Sequence, residues 1–170
     1  MKKTNVIIDT DTGIDDALAI ALAICNDKLD IKMISTMFGN VEVEQATVNA
    51  LRLLDLFGAN NRGIIVAQGS GRPITANTAS AYHAHGEDGL GGFPFKPTQY
   101  NRKNSCKYAK MCDIEESYFE MLSTLDSVTI ICIGPMTNLA KFITKYPELA
   151  KQKVTQIVFM GGSLVSNQFS

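Results

Sequence analysis

The sequence predicts an open, mostly parallel α/β sheet with helices on both faces. Three observations carry that expectation. Short β-branched apolar runs alternate with segments of helical period, as βαβ crossovers require. The runs read as buried on both faces. Apolar residues make up 45% of the 170, ordinary for a globular chain with a real core.

The elements follow in order. Asn5–Asp9 is a short buried strand, and Ile14 to Cys25 a helix with apolar residues at Ile14, Ala17, Leu18, Ala21, Leu22 and Cys25. With so little polar face, that helix is expected to be largely buried. Ile31–Met37 is the second strand. A helix from Val41 stops at Gly58, a natural left-handed cap, and Ile64–Ala67 is a third strand. Residues 68 to 107, rich in Gly, Pro, Ser and Asn, break the rhythm and hold both histidines; so long a connection suits a functional loop. Asp113 and Glu116 resemble a capping box opening the next helix. Val128–Ile133 is a fourth strand, Pro135 opens a helix ending before Pro147, and Val154–Met160 is a fifth strand. No linker divides the chain, so residues 1–170 are expected to form one α/β domain. With no helix in sequence to cover the last strand, that domain reads as incomplete at its carboxyl end.

Composition bounds the function. Sixteen basic and 17 acidic residues give a formal net charge of -1. Nothing in that balance points to nucleic acid or an anionic membrane. The start has no secretory apolar run, and no stretch approaches a membrane span. The four cysteines form no CxxC pair; Cys25 and Cys132 read as buried small hydrophobes, and the set fits a reducing cytoplasm.

The chemistry gathers at Asp9-Thr10-Asp11-Thr12-Gly13-Ile14-Asp15-Asp16, four carboxylates in eight residues at a strand's carboxyl end. That rim is where open α/β sheets bind ligands. One or two of these groups can be explained as loop ties or helix caps. Four together repel one another unless a cation offsets their charge. Oxygen ligands without Cys or spaced His suit Mg²⁺ or Ca²⁺ better than Zn²⁺. Gly39-Asn40, Gly134-Pro135 and Gly161-Gly162 fall just past other strand ends, where backbone can approach a ligand. His83-x-His85 lacks a third nitrogen or sulfur ligand nearby and makes a poor metal pair.

The motifs Asp9-Thr10-Asp11-x-Gly13-x-Asp15-Asp16-Ala17, Gly39-Asn40, His83-Ala84-His85-Gly86-Glu87, Gly134-Pro135-Met136-Thr137-Asn138-Leu139-Ala140 and Met160-Gly161-Gly162 come in the order seen in the inosine–uridine nucleoside hydrolases. The chain resembles the amino-terminal part of such an enzyme. The resemblance implies hydrolysis of the N-glycosidic bond of ribonucleosides to ribose and free base, with one Ca²⁺. By position, Asp11, Asp16 and the backbone carbonyl of Ile133 would hold the metal, and Asp11 would take the proton of the metal-bound water. Asp15 and Asn40 would bind ribose hydroxyls and Met160 would lie against the sugar. Asn167 would hold the 5′-hydroxyl, and His85 would sit in a mobile loop over the base. Asp9 would support the loop. Thr12 stands where the family usually has proline, a change expected to matter little. The family's carboxyl half supplies a further aspartate for the metal and a histidine near the leaving base. The resemblance also implies a homo-oligomer when complete, and a small-molecule ribonucleoside as partner.

Two alternatives stand beside this. Strand–Asp9-x-Asp11 also resembles the haloacid-dehalogenase-type phosphatases, although Thr12-Gly13 reverses their usual Gly-Thr and the later motifs stay unexplained. The other is a truncated, non-catalytic fragment of a nucleoside hydrolase.

Overall fold

A computed structural model describes residues 2–75, 81–95 and 113–161. Among them, five parallel strands form one sheet in the order β3-β2-β1-β4-β5. The strands are β1 (Thr4–Thr10), β2 (Leu29–Thr36), β3 (Ile65–Gln68), β4 (Val128–Cys132) and β5 (Val154–Phe159). The helices are α1 (Ile14–Cys25), α2 (Val43–Leu56), the single turn α3 (Tyr82–His85), α4 (Ile114–Ser123), α5 (Thr137–Lys145) and α6 (Pro147–Lys153). The expected open α/β sheet is there, with strand bounds moved by a residue or two.

Alternation along β1 builds two cores. Val6 and Ile8 face α1 and α2, packing with Ile20, Ile24, Ile34, Leu53 and Val66. Ile7 faces the other way, among Tyr118, Leu122, Ile130, Leu139 and Phe142 from α4, β4 and α5. Both faces of the central strands are therefore dry, which is why those strands read as unbroken apolar runs. The chain runs outward from β1 through β2 to β3, then returns to β4 and β5 on the other side. The strand order thus reverses between β1 and β4, the place where open sheets form a ligand crevice.

Three expectations need correction. α1 is not largely buried: Asp16, Ile20, Ala23 and Ile24 face the sheet, while Leu18 and Leu22 are 66% and 73% exposed. Cys25 is likewise exposed, whereas Cys132 is buried as expected. A helix apolar all round carries no phase signal, and here burial of Asp16 at the rim sets the phase. Asp113 precedes α4 without a side-chain capping bond. Glu116 instead receives Lys145 Nζ at 2.8 Å and the Tyr146 hydroxyl, tying α4 to the end of α5. The helix before Pro147 ends ahead of it as expected, and Pro147 itself opens α6, since its missing N–H costs nothing in a first turn. Cys106 and Cys112 lie outside the described residues. No described helix is long and apolar enough to cross a membrane.

Candidate active site

The turn after β1 is held from below and behind. Thr10 Oγ1 donates to Asp16 Oδ1 at 2.6 Å and accepts the Thr12 N–H at 3.0 Å. Asp16 Oδ2 takes the Gly13 N–H at 2.8 Å and the Asn40 side-chain amide at 3.0 Å. The Asn40 backbone N–H donates to Asp11 Oδ2 at 2.8 Å. Asn40 therefore clamps Asp11 and Asp16 together with two different donors. The approach needs glycines: a Cβ on Gly39 would collide with the Asp11 carboxylate, and one on Gly134 would lie 2.8 Å from the Asp11 nitrogen. Thr12 takes φ +31°, which a proline ring cannot adopt, so the threonine comes with a turn of its own.

Of the four carboxylates, Asp11 and Asp16 are the two joined through Asn40. Both are nearly inaccessible, at 6% and 2% exposure. Asp15 faces solvent, with His85 Nδ1 3.8 Å from its carboxylate. Asp9 turns into the second core, where Oδ1 accepts Ser35 Oγ and, at 2.9 Å, Asn138 Nδ2. Ser35 Oγ in turn meets the Tyr118 hydroxyl at 2.8 Å, and Asn138 spans Thr36 O and the Ser70 N–H. Asp9 thus supports the rim, as expected. Its partners Ser35, Tyr118 and Asn138 escape a reading of local sequence, because they stand 26 or more residues from it. Their one signal is a polar atom set in an apolar run.

Asp11, Asp15, Asn40, Ile133, Gly134, Pro135 and Met160 line an open pocket of about 270 Å³. Each follows the carboxyl end of β1, β2, β4 or β5. The Ile133 N–H donates to Asp9 O at 2.8 Å and the Met160 N–H to Cys132 O at 2.9 Å, which fixes both at the rim. His85 does not line this pocket. Its Nδ1 accepts the Ile14 N–H at 3.2 Å, capping the start of α1. His83 is exposed. Asn167 lies outside the described residues.

Burial pushes the Asp11 carboxyl up to about 7, with the Asp16 charge adding to the rise; burial also raises Asp16, and holds Asp9 at about 6. Two carboxylates this close and this dry fit a cation that would offset their charge. Among the described residues no three His, Cys, Asp or Glu side chains gather as a metal cluster. The donor set that fits is oxygen only: Asp11, Asp16 and main-chain carbonyl, a partial shell for a hard divalent ion.

These shifts make the metal-free stability depend on pH. The folded carboxyls of Asp9 and Asp11 hold protons above the ordinary value of 3.8, so between about pH 4 and 7 the native state binds more protons than the unfolded chain. Stability therefore falls as pH rises through that window. Thermal unfolding in chelator should show a loss on the order of 3 kcal/mol from pH 5 to pH 8. A flat or rising midpoint would show that these groups are already ionised at pH 5.

The family model described as inosine-uridine preferring nucleoside hydrolase matches residues 6–168, which leaves no place for the dehalogenase-type alternative. The non-specific ribonucleoside hydrolases RihC of Salmonella paratyphi A and Salmonella typhi are each 36% identical over 166 residues, covering 98% of this chain and 51% of theirs. Among solved structures, the purine-preferring ribonucleoside hydrolase from Gardnerella vaginalis superposes with TM-score 0.81 at 27% identity, over 94% of this chain and 49% of that one. An inosine-guanosine nucleoside hydrolase superposes with TM-score 0.83 at 29% identity, over 95% and 50%. The chain spans about half the length of these relatives. It belongs to the inosine-uridine preferring nucleoside hydrolase family.

Proposed function

We propose that the chain serves Ca²⁺-dependent hydrolysis of the N-glycosidic bond of ribonucleosides, yielding ribose and free base. The observation that carries this reading is the buried Asp11–Asp16 pair, clamped by Asn40, with Asp11 opening into a rim pocket that it shares with Asp15, Ile133 and Met160. Asp11, Asp16 and the Ile133 carbonyl are the residues that would hold Ca²⁺. Bound there, the ion supplies Lewis acidity toward water and a flexible seat for ribose hydroxyls.

The remaining chemistry belongs to the chain's own side chains. The Asp11 carboxylate takes the proton of the attacking water. Asp15, exposed at the first turn of α1, accepts a ribose hydroxyl. Asn40 serves the same sugar, although its side-chain amide also donates to Asp16, so ribose binding and carboxylate clamping share one group. Met160 offers an apolar surface to the sugar face. His85, with Nδ1 3.8 Å from the Asp15 carboxylate, is proposed for the base, and Asn167 for the 5′-hydroxyl. As the base departs, positive charge develops on ribose, and the carboxylates at the rim stabilise it.

The relatives range by name from non-specific to purine-preferring, so ribonucleosides as a class are the proposed substrates. A reducing cytoplasm suits the free cysteines Cys25 and Cys132, and a homo-oligomer is proposed for the complete enzyme. The test is reducing-sugar release from inosine and uridine, by the 170-residue chain and by the chain joined to the rest of a relative's length. Release that requires Ca²⁺ and disappears in Asp11→Ala supports the reading. Release indifferent to Asp11 in both preparations would refute it.

A further inference from the structure

Asn49, fully buried on α2, is tied to the acidic turn and does not line the pocket. Its amide nitrogen donates to two carbonyls from separate parts of the chain, Thr12 O at 3.3 Å and Asp88 O at 2.7 Å. Its oxygen accepts Gln45 Nε2 at 2.9 Å and Arg52 Nη1 at 3.4 Å. With two donors on the oxygen side, the amide can face only one way, and both of its own donors are used. One of the carbonyls belongs to Thr12, the left-handed residue between Asp11 and Gly13. A non-glycine residue in that region is held by its surroundings rather than by its own preference.

The other carbonyl belongs to the segment that carries His85. That segment is built to meet Asn49. Asp88 Oδ1 accepts the Leu90 and Gly92 N–H groups, each at 3.0 Å, which folds the turn back on itself. Gly89, at φ +76°, lies so close that a Cβ would stand 2.9 Å from Val41 and 3.0 Å from the Asn49 amide nitrogen. Arg52 lies 5.5 Å over the Phe95 ring, and Phe95 packs on the first core. The far end of the segment returns to the acidic turn through His85 and the Ile14 N–H.

We propose that Asn49 is a positioning residue that couples the acidic turn to residues 82–92, so that a ligand ordering one orders the other. The ligand arm of this inference rests on the metal reading above; the coupling itself does not. Coupling of this kind is reciprocal. A ligand drawn to Asp11 and Asp16 tightens the Thr12 carbonyl against Asn49, and the same amide then holds Asp88 and the histidine-bearing turn.

Hydrogen exchange read by mass spectrometry on the full chain tests it, with Ca²⁺ as the probe. In the parent, Ca²⁺ should slow exchange in both residues 10–17 and residues 82–92. In Asn49→Leu, which keeps the bulk and removes the donors, Ca²⁺ should still slow residues 10–17 and no longer slow residues 82–92. A residue that merely fills space would leave the second effect intact, and its persistence overturns the proposal. If Asn49→Leu does not fold, Gly89→Ala carries the test from the other side. It should speed exchange at residues 12–17 by about fivefold or more, and an unchanged rate there overturns the coupling. Should Ca²⁺ alter exchange nowhere in the parent, the metal reading fails, and the Gly89→Ala arm alone decides the coupling.

Discussion

Asp11→Ala and Asp16→Ala should each weaken Ca²⁺ binding on the order of a hundredfold or more, since each removes a proposed ligand from a shell already short of carboxylates. Their effects on the metal-free fold should differ. Asp11 accepts the Asn40 backbone N–H and carries a buried charge with a like neighbour. Removing it relieves repulsion, so in chelator at pH 8 the variant should be as stable as the parent or more so. Asp16 accepts Thr10 Oγ1, the Gly13 N–H and the Asn40 amide. Its loss orphans two buried donors and one half-buried one, and should cost roughly 1–3 kcal/mol. Calorimetric Ca²⁺ titration paired with thermal unfolding in chelator reads both. Unchanged Ca²⁺ affinity in both variants would move the metal elsewhere. A large loss of metal-free stability in Asp11→Ala would show that its carboxylate serves the fold rather than the ligand.

The opposite stability effects expected of two neighbouring carboxylates mark what local sequence can and cannot carry. Asp9, Asp11, Asp15 and Asp16 look equivalent as a run of charge. The pleat of β1 and the first turn of α1 separate them: Asp9 enters the core, Asp11 and the exposed Asp15 line the pocket, and Asp16 is buried at the base of the turn. Strand ends were legible because buried parallel strands are continuous apolar runs, closed by Gly39, Gly134 and Gly161. Which rim they share follows from the alternation of strands and helices, so Asn40, Ile133 and Met160 come to the pocket expected of them. The clamp was not legible. That Asn40 holds Asp11 and Asp16 together, and that Asn138 holds Asp9, depends on pairings 24 to 129 residues apart. No periodicity encodes such pairings.

α1 gives the complementary lesson. Its apolar residues fill the whole circumference, and the stripe Leu18–Leu22–Cys25 looked as fit for the core as Ile20–Ala23–Ile24. The turn decides between them, because Asp16 must point back to Thr10 and Gly13. Polar geometry at the rim therefore sets which apolar face is buried.

The largest expected change in activity comes from what packs against β5. Ile157 and Phe159 point to one side of that strand, Val158 and Met160 to the other, and all four are exposed. A strand apolar on both faces is the pattern of a sheet interior, not of an edge facing water. The relatives are about twice as long as this chain, and the proposed shell of Asp11, Asp16 and a main-chain carbonyl leaves coordination positions that further oxygen ligands would fill. Met160 is 62% exposed at the pocket's margin. Chemistry that needs metal, water and sugar held together loses on the order of a hundredfold for a displacement of about 1 Å. The 170-residue chain by itself should therefore release ribose from inosine at least about a hundredfold more slowly than the same chain joined, covalently or in a mixture, to the carboxyl half of a relative. Joining should also suppress aggregation, since it covers an apolar strand edge. Reducing-sugar release and light scattering on the same samples measure both. Equal turnover with and without the second half would show that the Asp11–Asp16 pocket is sufficient. Suppressed aggregation without a gain in rate would show that the second half supports the fold and adds nothing to the chemistry.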